Sequence, residues 1–276
     1  MSQRPSFLAS AARVFDLSLG QMIWSRRSAL LGLLLGGPVL LAIAIRLVTA
    51  ATPFWRFSIN GARVGGPAMF GMMIWLLYIR FIIPALGVFY GTSLIADEVE
   101  DKTLTYLFTR PIRRGAVLVG KYLAYLVCTT LLVLPSVVIV FFLIVPIGGG
   151  SIGASFPALL ADLGMLAVGL AGYGAVFAWV GARLRRPLVA GLVFAFGWEQ
   201  AVVLFPGYLK RVTVAYYLQA LVPHAMPQDS AVGVFMQLFR EVPSIGASLL
   251  SLAIITATAL WLAARAVEVR EYVLEQ

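Results

Sequence analysis

Six stretches of this 276-residue chain have the length and apolarity of membrane-crossing helices, and no other feature restricts its fold as strongly. They run at roughly 28–48, 70–95, 118–145, 159–180, 188–205 and 245–264. About 20 helical residues cross a hydrocarbon core of ~30 Å. The runs are rich in Leu, Val, Ala and Gly and lack the alternation of barrel strands, so helices must satisfy the backbone within lipid. Composition agrees, since a chain 61% hydrophobic and only 12% charged is not an ordinary soluble domain. The first run follows an N-terminal segment of more than twenty residues and has no small-x-small site soon after it, so it does not read as a cleaved signal. The expected fold is an all-α membrane protein with six transmembrane helices in a single transmembrane domain, 1–276, without internal repeats.

Sidedness follows from the basic residues. With both termini in one compartment, fourteen of the 21 Lys and Arg fall on the terminal side. Six, Arg46, Arg56, Arg63, Lys210, Arg211 and Arg240, fall on the other, and Arg80 lies within a span. The positive-inside rule then places both termini in the cytoplasm, as expected for the inner membrane of a bacterium or archaeon. The formal charge of +9 is concentrated at helix ends, which suits anionic lipid headgroups rather than nucleic acid. Cys128 is the only cysteine and lies within the third span, which excludes an intramolecular disulfide and a cysteine metal cluster.

Residues 1–27 form an N-terminal segment in which Phe7, Leu8, Ala11, Val14, Phe15, Leu19, Met22 and Ile23 recur at helical spacing. It reads as an amphipathic helix at the membrane interface. On the outer side, 49–69 is a loop, whereas 206–244 is a larger insertion punctuated by Pro206, Pro223, Pro227 and Pro243. Its pieces "KRVTVAYYLQALV" and "SAVGVFMQLFREV" have apolar residues at helical intervals, so short helices at the outer membrane surface are expected.

Two motifs mimic enzymes. Gly115 to Tyr122, "GAVLVGKY", approaches a phosphate-binding P-loop, but Tyr122 stands where Ser or Thr would hold magnesium and no strand precedes it. Lys121 reads instead as a residue reaching the interface. Gly149 to Gly153, "GGSIG", fits the G-x-S-x-G pattern, yet the only histidine, His224, lies in another loop. Both read as turn residues, because a nucleophile elbow needs a strand-to-helix turn and a positioned base.

The segment 96–117 carries the densest charge in the chain, "ADEVEDKTLTYLFTRPIRRGAV". Asp97, Glu98, Glu100 and Asp101 suit the start of a short helix, and Glu98 stands four before Lys102. Val99, Thr103 and Leu107 share a stripe with Leu104 and Phe108 beside it, until Pro111 ends the pattern. An amphipathic hook with a charged rim is suited to docking a soluble partner, although a connector lying on lipid has the same pattern.

In order and position, this run resembles the signature of type-two ABC transporter permeases: acids, Thr-Leu, Leu-x-x-Arg-Pro-x-x-Arg and Gly-Lys after the second span. The matching positions are Glu98, Glu100, Thr103, Leu104, Leu107, Arg110, Pro111, Arg113 or Arg114, Gly120 and Lys121. Lys102 departs from the Gly found in many relatives. The resemblance implies a permease without catalytic residues of its own, paired with a second permease chain, likewise expected to be a copy of itself. Two separate ATPase subunits, which bind ATP and magnesium, would dock on the hook through Glu98, Glu100, Thr103, Leu104, Leu107, Phe108, Arg110 and Arg113. The family's range of cargo includes lipid-linked sugars, drugs, peptides and a cofactor precursor, as in the maturation transporter of nitrous-oxide reductase.

Arg80 and Glu199 are charges within apolar runs, and such groups mark transport routes by default. They support an alternative, a secondary transporter or ion pathway. They are also candidates to pair with each other, while Arg80 snorkelling outward and Glu199 meeting Arg46 or taking a proton are the competing solutions. The spans otherwise read as free of a metal-ligand cluster and of a second acid. Small residues at Gly32, Gly36, Gly87, Gly91, Ala167, Ala171, Ala175, Gly191 and Ala195 suit close helix packing, within one chain or between two.

Overall fold

The computed structural model describes residues 7–23, 26–51, 58–59, 62–63, 65–95, 114–202, 208–222 and 243–269. Its helices are α1 (Phe7–Ile23), α2 (Arg26–Ala51), α3 (Gly66–Ile95), α4 (Arg114–Ile144), α5 (Ile152–Arg183), α6 (187–202), α7 (Val214–Ala220) and α8 (Ile245–Val269). A two-residue ladder, Ser58–Ile59 with Ala62–Arg63, lies between α2 and α3. Among the described residues, five helices, α2, α3, α4, α5 and α8, are long and apolar enough to cross a membrane. The chain is therefore an integral membrane protein. The run expected at 188–205 is a shorter apolar helix, α6, so the expected count of six rests on this element.

α3, α4 and α5 form the centre. Tyrosine hydroxyls tie them together: Tyr122 donates to the Ala171 carbonyl at 2.8 Å, Tyr125 to the Leu170 carbonyl at 3.1 Å, and Tyr78 lies 2.9 Å from the Ser136 hydroxyl. Where lipid offers no competing water, such bonds contribute roughly 0.6 kcal/mol each, up to about 1.7. Aromatic rings fill the remaining space, with Phe70 edge-on to Phe141 at 5.3 Å and Tyr173 stacked on Phe177 at 6.1 Å. Gly87, Gly91 and Gly191 lie against Phe177 within this chain, whereas Gly32 and Gly36 have no non-local atom within 4 Å of where a Cβ would stand.

The N-terminal segment is helical as expected, and its packing face overlaps the apolar face read from the sequence at Ala11 and Val14. Ser10, Ala11, Val14 and Ser18 are buried along α4, while Leu8 and Leu17 are 78% and 70% exposed. The physical reason is distance. A stripe of small residues lets α1 approach the backbone of α4 at Gly120, where a Cβ would stand 2.6 Å from the Ala11 carbonyl oxygen.

Both enzyme-like motifs dissolve into ordinary local structure. Residues 115–122 lie inside α4, with Gly120 serving the contact to α1. Gly148 and Gly149 take φ of +70° and +85° in the turn after α4, and Ser151 caps α5 by accepting from the Ala154 N–H. α4 begins at Arg114, so the last residues of the segment 96–117 belong to this helix.

Candidate functional site

Every residue assigned to the hook, Glu98, Glu100, Thr103, Leu104, Leu107, Phe108, Arg110 and Arg113, lies outside the described residues. Its two roots do not. Leu94 and Ile95 are buried at the end of α3, and Ala116, Val117 and Leu118 at the start of α4. A Cβ at Gly181, near the end of α5, would stand 2.9 Å from the Thr92 carbonyl carbon, and α1 lies along the start of α4. The end of α3 and the start of α4, on either side of 96–113, thus lie at a close-packed junction of α1, α3, α4 and α5.

The second candidate lies deeper. Glu199 is 0% exposed, twelve residues after Pro187, or about 18 Å along α6 at 1.5 Å per residue. Tyr173 stands ten residues before the end of α5 at Arg183, about 15 Å by the same measure. Arg80 stands fifteen residues before the end of α3 at Ile95, or about 22 Å. The Tyr173 hydroxyl donates to Glu199 Oε2 in a short hydrogen bond. Glu199 Oε1 accepts the backbone N–H of Val214 at 3.0 Å, and the carboxylate also takes the N–H of Ala215. Burying a carboxylate costs several kcal/mol unless donors surround it, and these three supply that surrounding.

Wide helical turns set this geometry. In α3, the stretch Ile74–Ile82 follows π pitch, and the Ile83 N–H bonds to the carbonyl five residues back, at Tyr78. Pro84 supplies the cause, because it has no N–H to give the Arg80 carbonyl and its ring crowds that position. At a five-residue repeat Trp75 and Arg80 come one above the other, and the guanidinium lies 4.4 Å from the indole centroid. In α6, Val193–Trp198 is wide as well, and the Glu199 N–H bonds to the Phe194 carbonyl.

Glu199 bonds to Tyr173, and Arg80 lies over Trp75. Arg46 is exposed on α2. Four participants escaped sequence reading. Tyr173 is an unremarked tyrosine in an apolar run, Trp75 meets Arg80 only through the wide turn, and the donors of Val214 and Ala215 are backbone. The reading of a single intramembrane acid is corrected: Asp162, 0% exposed on α5, is a second. It falls within the run 159–180, where the surrounding Leu, Ala and Gly masked it in the average.

Of the short helices expected between 206 and 244, α7 packs against the bundle. Val214, fifteen residues beyond Glu199, returns to the carboxylate, so α7 begins within the bundle. Val214 and Leu218 of α7 pack where Gly172 and Gly169 open the surface of α5. The second helical piece, at 230–242, and His224 lie outside the described residues.

Compared with known protein families, residues 8–266 match the model described as ABC-2 family transporter protein. No curated protein matches the chain.

Proposed function

Because the chain belongs to the ABC-2 family of transporter proteins, matched from α1 to near the end of α8, we propose that it is the permease subunit of an ATP-driven exporter. Two copies form the pathway, and each docks a separate ATPase subunit that binds ATP and magnesium. The single observation that carries this reading is the family match across 8–266, which encloses the amphipathic segment 96–113 at the point where α3 hands over to α4. On this reading Leu104, Leu107 and Phe108 seat in a groove of the ATPase subunit, because buried apolar side chains dominate such contacts. Glu98, Glu100, Arg110 and Arg113 set orientation, and Thr103 belongs to the same docking segment.

The excess of basic residues supports cytoplasmic termini in an inner membrane, with the charged helix ends against anionic lipid. Closure of the ATPase dimer would push the hook, and the packed junction at Thr92, Gly120 and Gly181 would pass that motion into the bundle. An apolar or amphipathic cargo suits spans lined by Leu, Val, Phe and Ala. A cofactor precursor, as handled by the nitrous-oxide reductase maturation transporter, is one member of that range. The alternative of an ion pathway through Arg80 and Glu199 is less well supported, because Glu199 is fully buried and bonded within its own chain.

The test is purification of the full chain from its native membrane in mild detergent. A stoichiometric soluble ATPase accompanying it is the expected result. A chain that purifies alone, and that moves ions in liposomes without ATP, would overturn the permease reading in favour of the ion pathway.

A further inference from the structure

The Glu199 carboxylate joins three elements: α6, which carries it, α5 through Tyr173, and α7 through the N–H groups of Val214 and Ala215. α7 has only seven residues, too few to hold a helix by itself in water or lipid. It also makes apolar contacts, among them Val214 beside Gly172 and Leu218 beside Gly169. The carboxylate is thus a charged tether at the start of α7, and the wide turn Val193–Trp198 immediately before it determines where it points.

A π turn accommodates one more residue than an α turn, so relaxing it to α pitch rotates everything beyond it by roughly 100°. Glu199 would then leave Tyr173 and the start of α7 together. We propose that Glu199 is a latch holding α7 inside the bundle, and that the wide turn of α6 is the spring that sets and releases it. The idea deepens the transporter reading by naming a part that moves when the bundle changes state, and rests on that reading only for its use.

The latch is testable without a partner. In the full chain with Cys128→Ser, a cysteine replaces Leu218, which is 0% exposed on α7, and its reaction with N-ethylmaleimide is timed in native membranes. A matching cysteine at Val133, buried in α4, reports on the bundle as a whole. Glu199→Ala should speed labelling at 218 at least tenfold and leave 133 unreactive. Glu199→Gln, which keeps an acceptor oxygen, should stay within twofold of the parent. Deleting Ala195 removes the extra residue of the wide turn while Glu199 remains, and should mimic Glu199→Ala. Should Glu199→Ala open position 133 too, Tyr173→Phe decides, since it removes one oxygen and is expected to raise labelling about threefold at 218 alone. Unchanged labelling at 218 in Glu199→Ala, or in Tyr173→Phe where that variant decides, overturns the latch; unchanged labelling in the Ala195 deletion overturns the spring. Neither result bears on whether an ATPase subunit binds, and failure to find such a subunit leaves the latch standing.

Discussion

At Gly120 a Cβ would stand 2.6 Å from the Ala11 carbonyl oxygen and 2.9 Å from the Val14 Cβ, so any side chain there competes with α1 for the same space. Overpacking of this kind costs about 1 to 3 kcal/mol, enough to lift a short helix from its seat without unfolding the bundle. Gly120→Val should therefore expose the buried face of α1. A cysteine at Ser10, 5% exposed in the parent, should label at least tenfold faster in a Cys128→Ser background, with expression of the chain unchanged. Equal labelling in the two backgrounds would mean that α1 is held by other contacts. At this scale the sequence was legible where chemistry is rare. Arg80 and Glu199 stand out because a charge in an apolar run is costly and seldom accidental. Asp162 was equally visible and was lost to averaging. Tyr173 could not have been singled out, because a tyrosine in a membrane helix is unexceptional until its partner is known.

The helices themselves were readable almost to their ends, because lipid leaves the backbone no other way to satisfy its N–H and C=O groups. The run read at 28–48 is the helix Arg26–Ala51, and that at 159–180 is Ile152–Arg183. What periodicity could not supply was pitch. The wide turns Ile74–Ile82 and Val193–Trp198 need no special residue type, and only Pro84 hinted at the first. Their longer repeat makes less regular hydrogen bonds, so they should open locally before the neighbouring α turns do. Hydrogen exchange in lipid nanodiscs tests this. Peptides covering 74–82 and 193–198 should exchange about tenfold faster than peptides within 124–140 of α4, which is α-helical throughout. Uniform protection across α3, α4 and α6 would show that the wide turns are as tightly held as ordinary helix.

For the whole molecule, the charge count makes a claim about sidedness that the packing of one chain does not address. Cysteines at Ser2 and at Ser151, the cap of α5, should react with an impermeant reagent from opposite faces of sealed vesicles. Reaction of both from one face would contradict the topology. The return of α7 to Glu199 was illegible, since it depends on contacts between segments far apart in sequence and on backbone donors that no pattern of side chains announces. The segment 96–113 lies outside the described residues, and its order of acids, apolar stripe and Arg-Pro is a reading of the sequence alone. The central claim is that this segment couples the permease to a separate ATPase, and it is tested most directly by changing Leu107 and Phe108 together to Ser. ATPase co-purification and cargo-stimulated hydrolysis are then measured in the reconstituted complex. The account predicts loss of the partner, or hydrolysis no longer stimulated by cargo, from a chain that still inserts and folds, with a much milder effect from neutralising Glu98 alone. A double variant that keeps both the partner and full stimulation would contradict it.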